Sequence, residues 1–330
     1  LNAVDLDMVR SLYKYSKHWN SQNNLKSVYF KGAGGKAFCA GGDIRSLYDA
    51  KFSDDSEERT ILHDFFRDEY RMDYALCNMK PLQVCLYNGI VMGGGVGISI
   101  HSPVKIATDN SLFAMPETYI GFFCDVGGTH FLPRLEALGT YLALTGDRVK
   151  GADLVKTGIA TNFIPADQIE AFEQEYFEGV TADSTHDDIR AIIAKYSQAP
   201  NEEPIDNLEK INKAFSHKKV EEIYAALGDM GSDEWAEKTL KTLSKMSPIS
   251  VKVVNESLIR GADLSLKDCF IQEFRMSQRF MAGKEFFEGV RAALVDKDHK
   301  AQWSHKSIEE VTDDEVQSYF EPLENDLELQ

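Results

Sequence analysis

Two carboxylic acids in apolar surroundings are the first residues of this sequence that could do chemistry. Glu117 follows the short apolar segment 112–114, and Asp125 stands in the stretch FFCDVGG at 122–128. Apolar neighbours disfavour the charged form of a carboxyl group and raise its pKa, which suits an acid or a base working near neutral pH. The spacing alone leaves structural roles open, namely a turn acid for Glu117 and a helix N-cap for Asp125.

Two glycine-rich turns could present backbone N–H groups to a ligand. Gly41 and Gly42 follow the segment KAFCA, and the run GGGVG at 93–97 comes shortly after the apolar segment 82–87. Glycine permits positive φ angles and a close approach of the backbone, and free N–H groups at the start of a helix attract negative charge. We interpret the two turns as donors, one from each, to the oxyanion that develops on a thioester carbonyl.

The elements that must position these groups alternate between apolar segments and amphipathic stretches. A strand, a glycine turn and a helix occur in succession twice, which indicates an α/β fold with parallel strands. Asp43 suits the N-cap position of one of these helices. The predicted strands are 25–31, 82–87, 103–108 and 159–163, and the predicted helices include 5–19, 44–50 and 53–77.

The strand signals end at about residue 183, and the remainder is predicted to be helical. The segment QAPNEEP at 198–204 is the clearest linker, and the tail after Trp303 is acidic and expected to be mobile. We therefore divide the chain into an α/β core at 1–182 and a helical C-terminal region at 183–330 that ends in the acidic tail.

The composition fits a globular protein and excludes several classes. Of 330 residues, 43% are hydrophobic and 27% are charged, and no apolar run is long enough to span a membrane. The net charge of −17 argues against a nonspecific nucleic-acid binder, which needs a basic face. Five cysteines form no CxxC pair, which fits a reducing compartment, and Cys39 is predicted to be a small buried hydrophobe. The histidines lack metal-ligand spacing, so no metal site is predicted.

Four motifs, in this order along the chain, resemble those of a known superfamily. They are KAFCAGGDIRSLY at 36–48, NGIVMGGGVGISIH at 88–101, FAMPETYIGFFCDVGGTHFLPRL at 113–135 and ALTGDRVKGADLVKTGIAT at 143–161. The chain resembles the crotonase (enoyl-CoA hydratase/isomerase) superfamily, and within it the 3-hydroxyisobutyryl-CoA hydrolase branch, from residue 1 to about residue 300. The resemblance implies a crotonase-like spiral core of stacked ββα units with a helical C-terminal region.

The same resemblance implies roles for particular residues. Glu117 matches the catalytic glutamate, and Asp125 matches the acid that helps to hold the 3-hydroxyl group of the substrate. Glu69, in FFRDEY at 65–70, matches a third substrate-contacting acid, with a solvated helix charge as its alternative. The backbone amides of Gly42 and Gly94 match the pair that holds the thioester oxygen.

Gly97 separates the hydrolase branch from the hydratases. Hydratases of this superfamily add water across a double bond with two glutamates, and the first of them lies at the position of Gly97. Because glycine cannot transfer a proton, hydratase chemistry lacks half of its acid/base pair here. Two smaller departures from the branch are Cys124, in place of a usual proline, and Asn88, in place of a histidine.

The implied reaction is hydrolysis of 3-hydroxyisobutyryl-CoA to the free acid and CoA, a step of valine breakdown. No metal or other cofactor is expected, because CoA arrives as part of the acyl-CoA substrate. Glu117 either activates water or attacks the thioester directly, and the sequence leaves both routes open. The alternative is a protein of the small subunit of the mitochondrial ribosome, with catalysis retained or lost, since hydrolase-like members of this branch have that role in some lineages.

The first residues of the chain resemble a segment of the family as well. The segment LNAV at 1–4 matches a family segment that normally follows one or two N-terminal strands. We therefore expect a longer precursor, whose N-terminal strands this sequence lacks, and the resemblance implies a place in the mitochondrial matrix. A homo-oligomer is also left open.

Overall fold

The computed structural model describes residues 1–329. The strands, in chain order, are β1 (Ser27–Lys31), β2 (Ala37–Cys39), β3 (Leu82–Tyr87), β4 (Ile90–Met92), β5 (Val104–Ala107), β6 (Leu112–Ala114), β7 (Val149–Lys150) and β8 (Asn162–Phe163). The α-helices of the first half are α1 (Leu6–Ser21), α2 (Ile44–Lys51), α3 (Ile61–Cys77), α4 (Gly94–Ser99), α5 (Gly128–Phe131), α6 (Glu136–Thr145) and α7 (Asp153–Lys156). The later helices are α8 (Ile169–Gly179), α9 (His186–Tyr196), α10 (Leu208–Phe215), α11 (Val220–Gly228), α12 (Glu234–Leu243), α13 (Pro248–Gly261), α14 (Leu266–Ala282), α15 (Glu285–Val290) and α16 (Asp313–Ser318).

The chain forms two compact units that interleave along the sequence. The first comprises residues 1–42, 71–114 and 148–205, and the second comprises residues 43–70, 115–147 and 206 onward. The linker predicted at 198–204 ends one residue before the last segment of the first unit does. The elements after residue 183 are helical, as predicted. The domain boundary predicted at residue 182 stays a prediction. The two units are defined by how compactly the chain packs, which does not by itself identify domains.

Both sheets belong to the first unit. One has the strand order β1-β3-β5-β8 and is parallel throughout. The four strands predicted from the sequence are the strands of this sheet. The other has the order β2-β4-β6-β7, in which only the pairing of β6 with β7 is antiparallel. Its strands have two or three residues each and were missed, because so short a segment shows no periodicity.

Apolar side chains buried on one face of the sheet β1-β3-β5-β8 hold the first unit together. Every residue of β3 is buried, which is typical of a parallel strand covered on both faces. The helices α8 and α9 pack against this sheet through Phe172 and Ile189. The cluster comprises Leu82, Val84, Leu86, Val104, Ile106, Ile164, Ile169, Phe172, Tyr176, Ile189 and Ile193.

The second unit is built from helices and has an aromatic core. Phe122 packs against the rings of Phe66, Phe280 and Phe286, with centroids 5.2–5.4 Å apart. Such aromatic pairs combine a large buried area with favourable ring geometry. Asp43 caps α2 by accepting from the N–H of Ser46 at 3.3 Å, which confirms the predicted N-cap.

The tail after Trp303 packs into the second unit instead of being mobile. It contains α16, and its side chains Val311, Val316 and Phe320 are buried. Arg275 of α14 pairs with Asp326 at 2.5 Å. The prediction failed because acidic residues dominate the composition of this tail, whereas its few apolar residues decide its packing.

Two further features concern the whole described chain. Within residues 1–329, no helix combines the length and the apolar character that a bilayer crossing requires. None of the five cysteines, all within the described residues, forms a disulfide, and Cys39 is buried as predicted.

Candidate active site

Glu117 lies in a tight turn at the start of a segment of the second unit. It opens the 3₁₀ turn Glu117–Ile120, which Gly121 ends with a φ of 67°. A side chain at Gly121 would be strained by this φ and would also meet the backbone oxygen of Glu285 at 2.4 Å. The residue that follows the turn must therefore be glycine. The Glu117 side chain in this turn is only 6% exposed.

The Glu117 carboxyl group is buried and incompletely paired. Its Oε2 atom has no hydrogen-bond partner among residues 1–329. Burial, and next the nearby Asp125, raise the pKa of Glu117 to about 8, although its own backbone N–H and the Cys124 thiol act in the opposite direction. A carboxyl group in this state can gain or lose a proton near neutral pH. Cys124, a departure from the family pattern, therefore contacts the predicted catalytic glutamate.

Asp125 is also buried, and it does not cap a helix. The Tyr70 hydroxyl donates to Asp125 Oδ2 at 2.8 Å. Burial raises the pKa of Asp125, and the hydrogen bond from Tyr70 opposes that rise. The N-cap residue of α5 is Gly127, so the structural alternative for Asp125 is wrong.

Glu69 lies on α3 next to Tyr70 and is 2% exposed. The alternative of a solvated helix charge is therefore wrong. Burial foremost, and then the nearby Asp125 and Glu273, raise the pKa of Glu69 well above its ordinary value. Asp125 thus acts on both Glu69 and Glu117, and the structure brings the three buried acids into one group.

A fourth acid, Glu273 of α14, belongs to the same group and was missed by the sequence analysis. It is fully buried, and burial foremost raises its pKa to about 8. The backbone N–H groups of Gly127 and Thr129 donate to its two oxygens at 2.8 Å and 3.0 Å. One sequence signal could have found Glu273: it stands on the apolar face of an amphipathic helix, next to Phe274 and three residues after Phe270.

The two glycine junctions lie side by side in the first unit. Strand β2 pairs with β4, and a Cβ at Gly41 would lie 3.8 Å from the oxygen of Met92. A Cβ at Gly95 would come within 2.6 Å of Cys39, so close packing leaves no room for a side chain at the second residue of α4. Gly94 is the first residue of α4, and Gly42 forms an isolated parallel bridge with Val4. The oxyanion roles of the Gly42 and Gly94 amides stay predictions.

Metal ligation has no candidate in the described part of the chain. Within residues 1–329, no group of three or more His, Cys, Asp or Glu side chains is arranged to hold a metal ion. The buried acids are instead held by tyrosine, threonine and backbone donors.

Comparison with known proteins assigns the chain to a family. The family model described as enoyl-CoA hydratase/isomerase matches residues 1–320. A protein of Dictyostelium discoideum named "3-hydroxyisobutyryl-CoA hydrolase, mitochondrial" is 44% identical over 100% of this chain and 88% of its own length. A Xenopus laevis protein of the same name is 45% identical over 100% of this chain and 86% of its own length. The crystal structure of a carnitinyl-CoA dehydratase from Mycobacterium thermoresistibile covers 99% of this chain and 92% of that one, with a TM-score of 0.89 and 33% identity. The chain therefore belongs to the enoyl-CoA hydratase/isomerase family, the crotonases.

Proposed function

We propose that this protein hydrolyses 3-hydroxyisobutyryl-CoA to 3-hydroxyisobutyrate and CoA. The observation that carries the proposal is Glu117, whose Oε2 is buried without a hydrogen-bond partner among residues 1–329 and whose pKa is raised to about 8. A glycine stands at position 97, where a hydratase needs its other acid. The relatives that are 44% and 45% identical carry the name of this hydrolase.

Two chemical routes lead from the thioester to the free acid. In the first, Glu117 removes a proton from water, and the hydroxide adds to the thioester carbon; collapse of the oxyanion then breaks the C–S bond and releases CoA thiolate. In the second, the Glu117 carboxylate itself adds to the carbon and expels the thiolate, and water cleaves the resulting anhydride. In both routes the thiolate leaves with the C–S electron pair and is protonated, and both require Glu117 as the carboxylate.

The resemblance also implies roles for the other acids and for the glycine amides. Asp125 and Glu69 hold the 3-hydroxyl group of the acyl chain, which gives the enzyme its preference for hydroxylated substrates. The amides of Gly42 and Gly94 donate to the thioester oxygen and stabilise the oxyanion. These roles follow the family resemblance, and the burial of the three acids supports those proposed for the side chains.

The setting of the reaction is proposed from the same relatives. Both are named mitochondrial, and we propose a mitochondrial location, in the matrix, for this protein. The reaction as written needs no metal or cofactor, because its reactants are the acyl-CoA and water. The relatives described above carry enzyme names, so no observation favours the ribosomal alternative.

The experiment compares two reactions of the purified protein. A thiol reagent reports release of CoA from 3-hydroxyisobutyryl-CoA, and the absorbance of the conjugated double bond reports hydration of crotonyl-CoA. We expect hydrolysis without appreciable hydration, because only one acid of the hydratase pair is present. Hydration without thiol release would overturn the proposal.

A further inference from the structure

The turn that follows Asp125 has a strained backbone. Val126 and Gly127 have φ angles of 54° and 82°, so two consecutive residues lie in the left-handed region. A valine is strained there, because its branched Cβ crowds the neighbouring carbonyl group. Such a conformation persists only where the surrounding structure fixes it. Something other than local preference must therefore hold this turn.

Both carboxyl oxygens of Glu273, on α14, accept hydrogen bonds from the turn. Its Oε2 accepts from the N–H of Gly127 at 2.8 Å. Its Oε1 accepts from the N–H of Thr129 at 3.0 Å and from the Thr129 hydroxyl at 2.6 Å. Gly127 is the N-cap residue of α5 and has no side chain to satisfy the N–H groups there. Glu273 supplies that acceptor from a helix far away in the sequence.

Asp125 is consequently held at two points. Its backbone oxygen accepts from the N–H of Gly128 at 2.7 Å, inside the turn that Glu273 fixes. Its side-chain Oδ2 accepts from the Tyr70 hydroxyl at 2.8 Å. The turn fixes the backbone position of Asp125, and the Tyr70 hydroxyl fixes the orientation of its carboxyl group. Loss of either point would let the carboxyl group move.

We propose that Glu273 is a positioning residue that sets the specificity of the site by fixing the turn 125–129, and so the carboxyl group of Asp125. This inference rests on the proposed hydrolysis, in which Asp125 holds the 3-hydroxyl group. Glu273 itself does not contact the substrate in this arrangement. Its two carboxylate oxygens both face N–H donors, so a glutamine cannot replace it: the amide NH₂ would face one of those donors whichever way it pointed.

The test measures specificity rather than rate alone. We compare kcat/KM for 3-hydroxyisobutyryl-CoA with kcat/KM for isobutyryl-CoA, which lacks the hydroxyl group. Glu273→Gln should lower the ratio of the two values about tenfold, since a displaced Asp125 no longer meets the hydroxyl. In an Asp125→Asn background the same substitution should change the ratio less than about twofold, because the group through which Glu273 acts is already lost.

Glu285→Gln is the matched control. Glu285 is another buried carboxylate of the second unit, and it accepts from the N–H of Ser304 at 2.8 Å and from the Ser247 hydroxyl. Its replacement and that of Glu273 should both lower the melting temperature, but the Glu285 variant should not change the ratio more than about twofold. Equal falls of the ratio in both variants, or an unchanged ratio in Glu273→Gln, would overturn the inference.

A second pair of variants covers the case in which Glu273→Gln does not fold. Thr129→Val removes one of the three donors to Glu273, whereas Thr129→Ser keeps that hydroxyl. The ratio should fall in the valine variant and stay near its wild-type value in the serine variant. An equal ratio in the two would also overturn the inference.

A further measurement separates this inference from the proposed function. Amide hydrogen exchange at Gly127 and Thr129 should be faster in Glu273→Gln than in the wild type, whatever the enzyme hydrolyses. A wild-type protein that releases no CoA would overturn the proposed function, while faster exchange would still support the hold of Glu273 on the turn. Unchanged protection of both amides would overturn that hold even in an active enzyme.

Discussion

Two groups of acids in the second unit have opposite surroundings. In the first, Glu69, Glu117, Asp125 and Glu273 are buried, and burial raises the pKa of each. The second group surrounds one cation at the protein surface. There Arg291 binds Glu288 at 2.8 Å and Asp298 at 3.0 Å, and it also binds Asp296.

The comparison shows what distinguishes an acid with a chemical role from one with a structural role. Arg291 holds the pKa of Glu288 below its usual range, so Glu288 stays charged and cannot exchange protons near neutral pH. The pKa of Glu117 is instead raised to about 8 by burial and, to a lesser extent, by the nearby Asp125. The protein thus loses stability at Glu117 and gains proton-transfer capacity there, as is typical of active sites.

The largest expected effect is that of Glu117→Gln on turnover. The substitution keeps the shape of the side chain but removes the base or nucleophile, so kcat should fall at least about a hundredfold. In the wild type, kcat/KM should rise with pH through about 8, because Glu117 acts as the carboxylate. Steady-state thiol release measured between pH 6 and 9 would record both effects. Near-wild-type turnover in the variant would contradict the role of Glu117.

The sequence predicted the acids of this comparison only in part. The apolar neighbours of Glu117 and Asp125 along the chain indicated that both acids are buried, and the family resemblance implied their roles and that of Glu69. Glu273 was not predicted, because its hydrogen-bond partners Gly127 and Thr129 are more than 140 residues away in the sequence. Such a contact can be seen only in the folded structure.

The fold shows the same limit. Strands of the first sheet were predicted from apolar runs of several residues, whereas β2, β4, β6 and β7 are defined by their pairing alone. Local patterns predict elements long enough to have a period. Short strands, and acids whose partners are remote, depend on tertiary structure.

The next largest effect concerns stability as a function of pH. The ordinary pKa of Glu117 is 4.5, and in the folded protein it is about 8, so the folded state binds the proton more tightly. The protonated Glu117 carboxyl group therefore makes its full contribution to the free energy of unfolding below about pH 4.5, and this contribution is lost as the pH rises through 8. Relative to the wild type, Glu117→Gln should gain on the order of 2–4 kcal/mol in free energy of unfolding between pH 5 and 8.

Urea denaturation at several pH values would measure this difference. Glu288→Gln is the matched control, because the pKa of Glu288 is lowered and its contribution is lost only at acidic pH. For that variant the difference from the wild type should stay constant between pH 5 and 8. A constant difference for Glu117→Gln as well would show that its carboxyl group titrates normally in the folded state.

The smallest effect is expected where the structure shows the most ion pairs. Arg291→Gln removes the cation from three acids, but these contacts lie at the surface, where water and salt screen charge. We expect the melting temperature to fall by less than about 3 °C and kcat for the thioester to stay unchanged. The shift should shrink further in 1 M salt, and a calorimetric scan at low and high salt would measure it. A large, salt-independent loss of stability would mean that this surface network holds the fold as firmly as a buried one, and the contrast between the two groups of acids would then no longer hold.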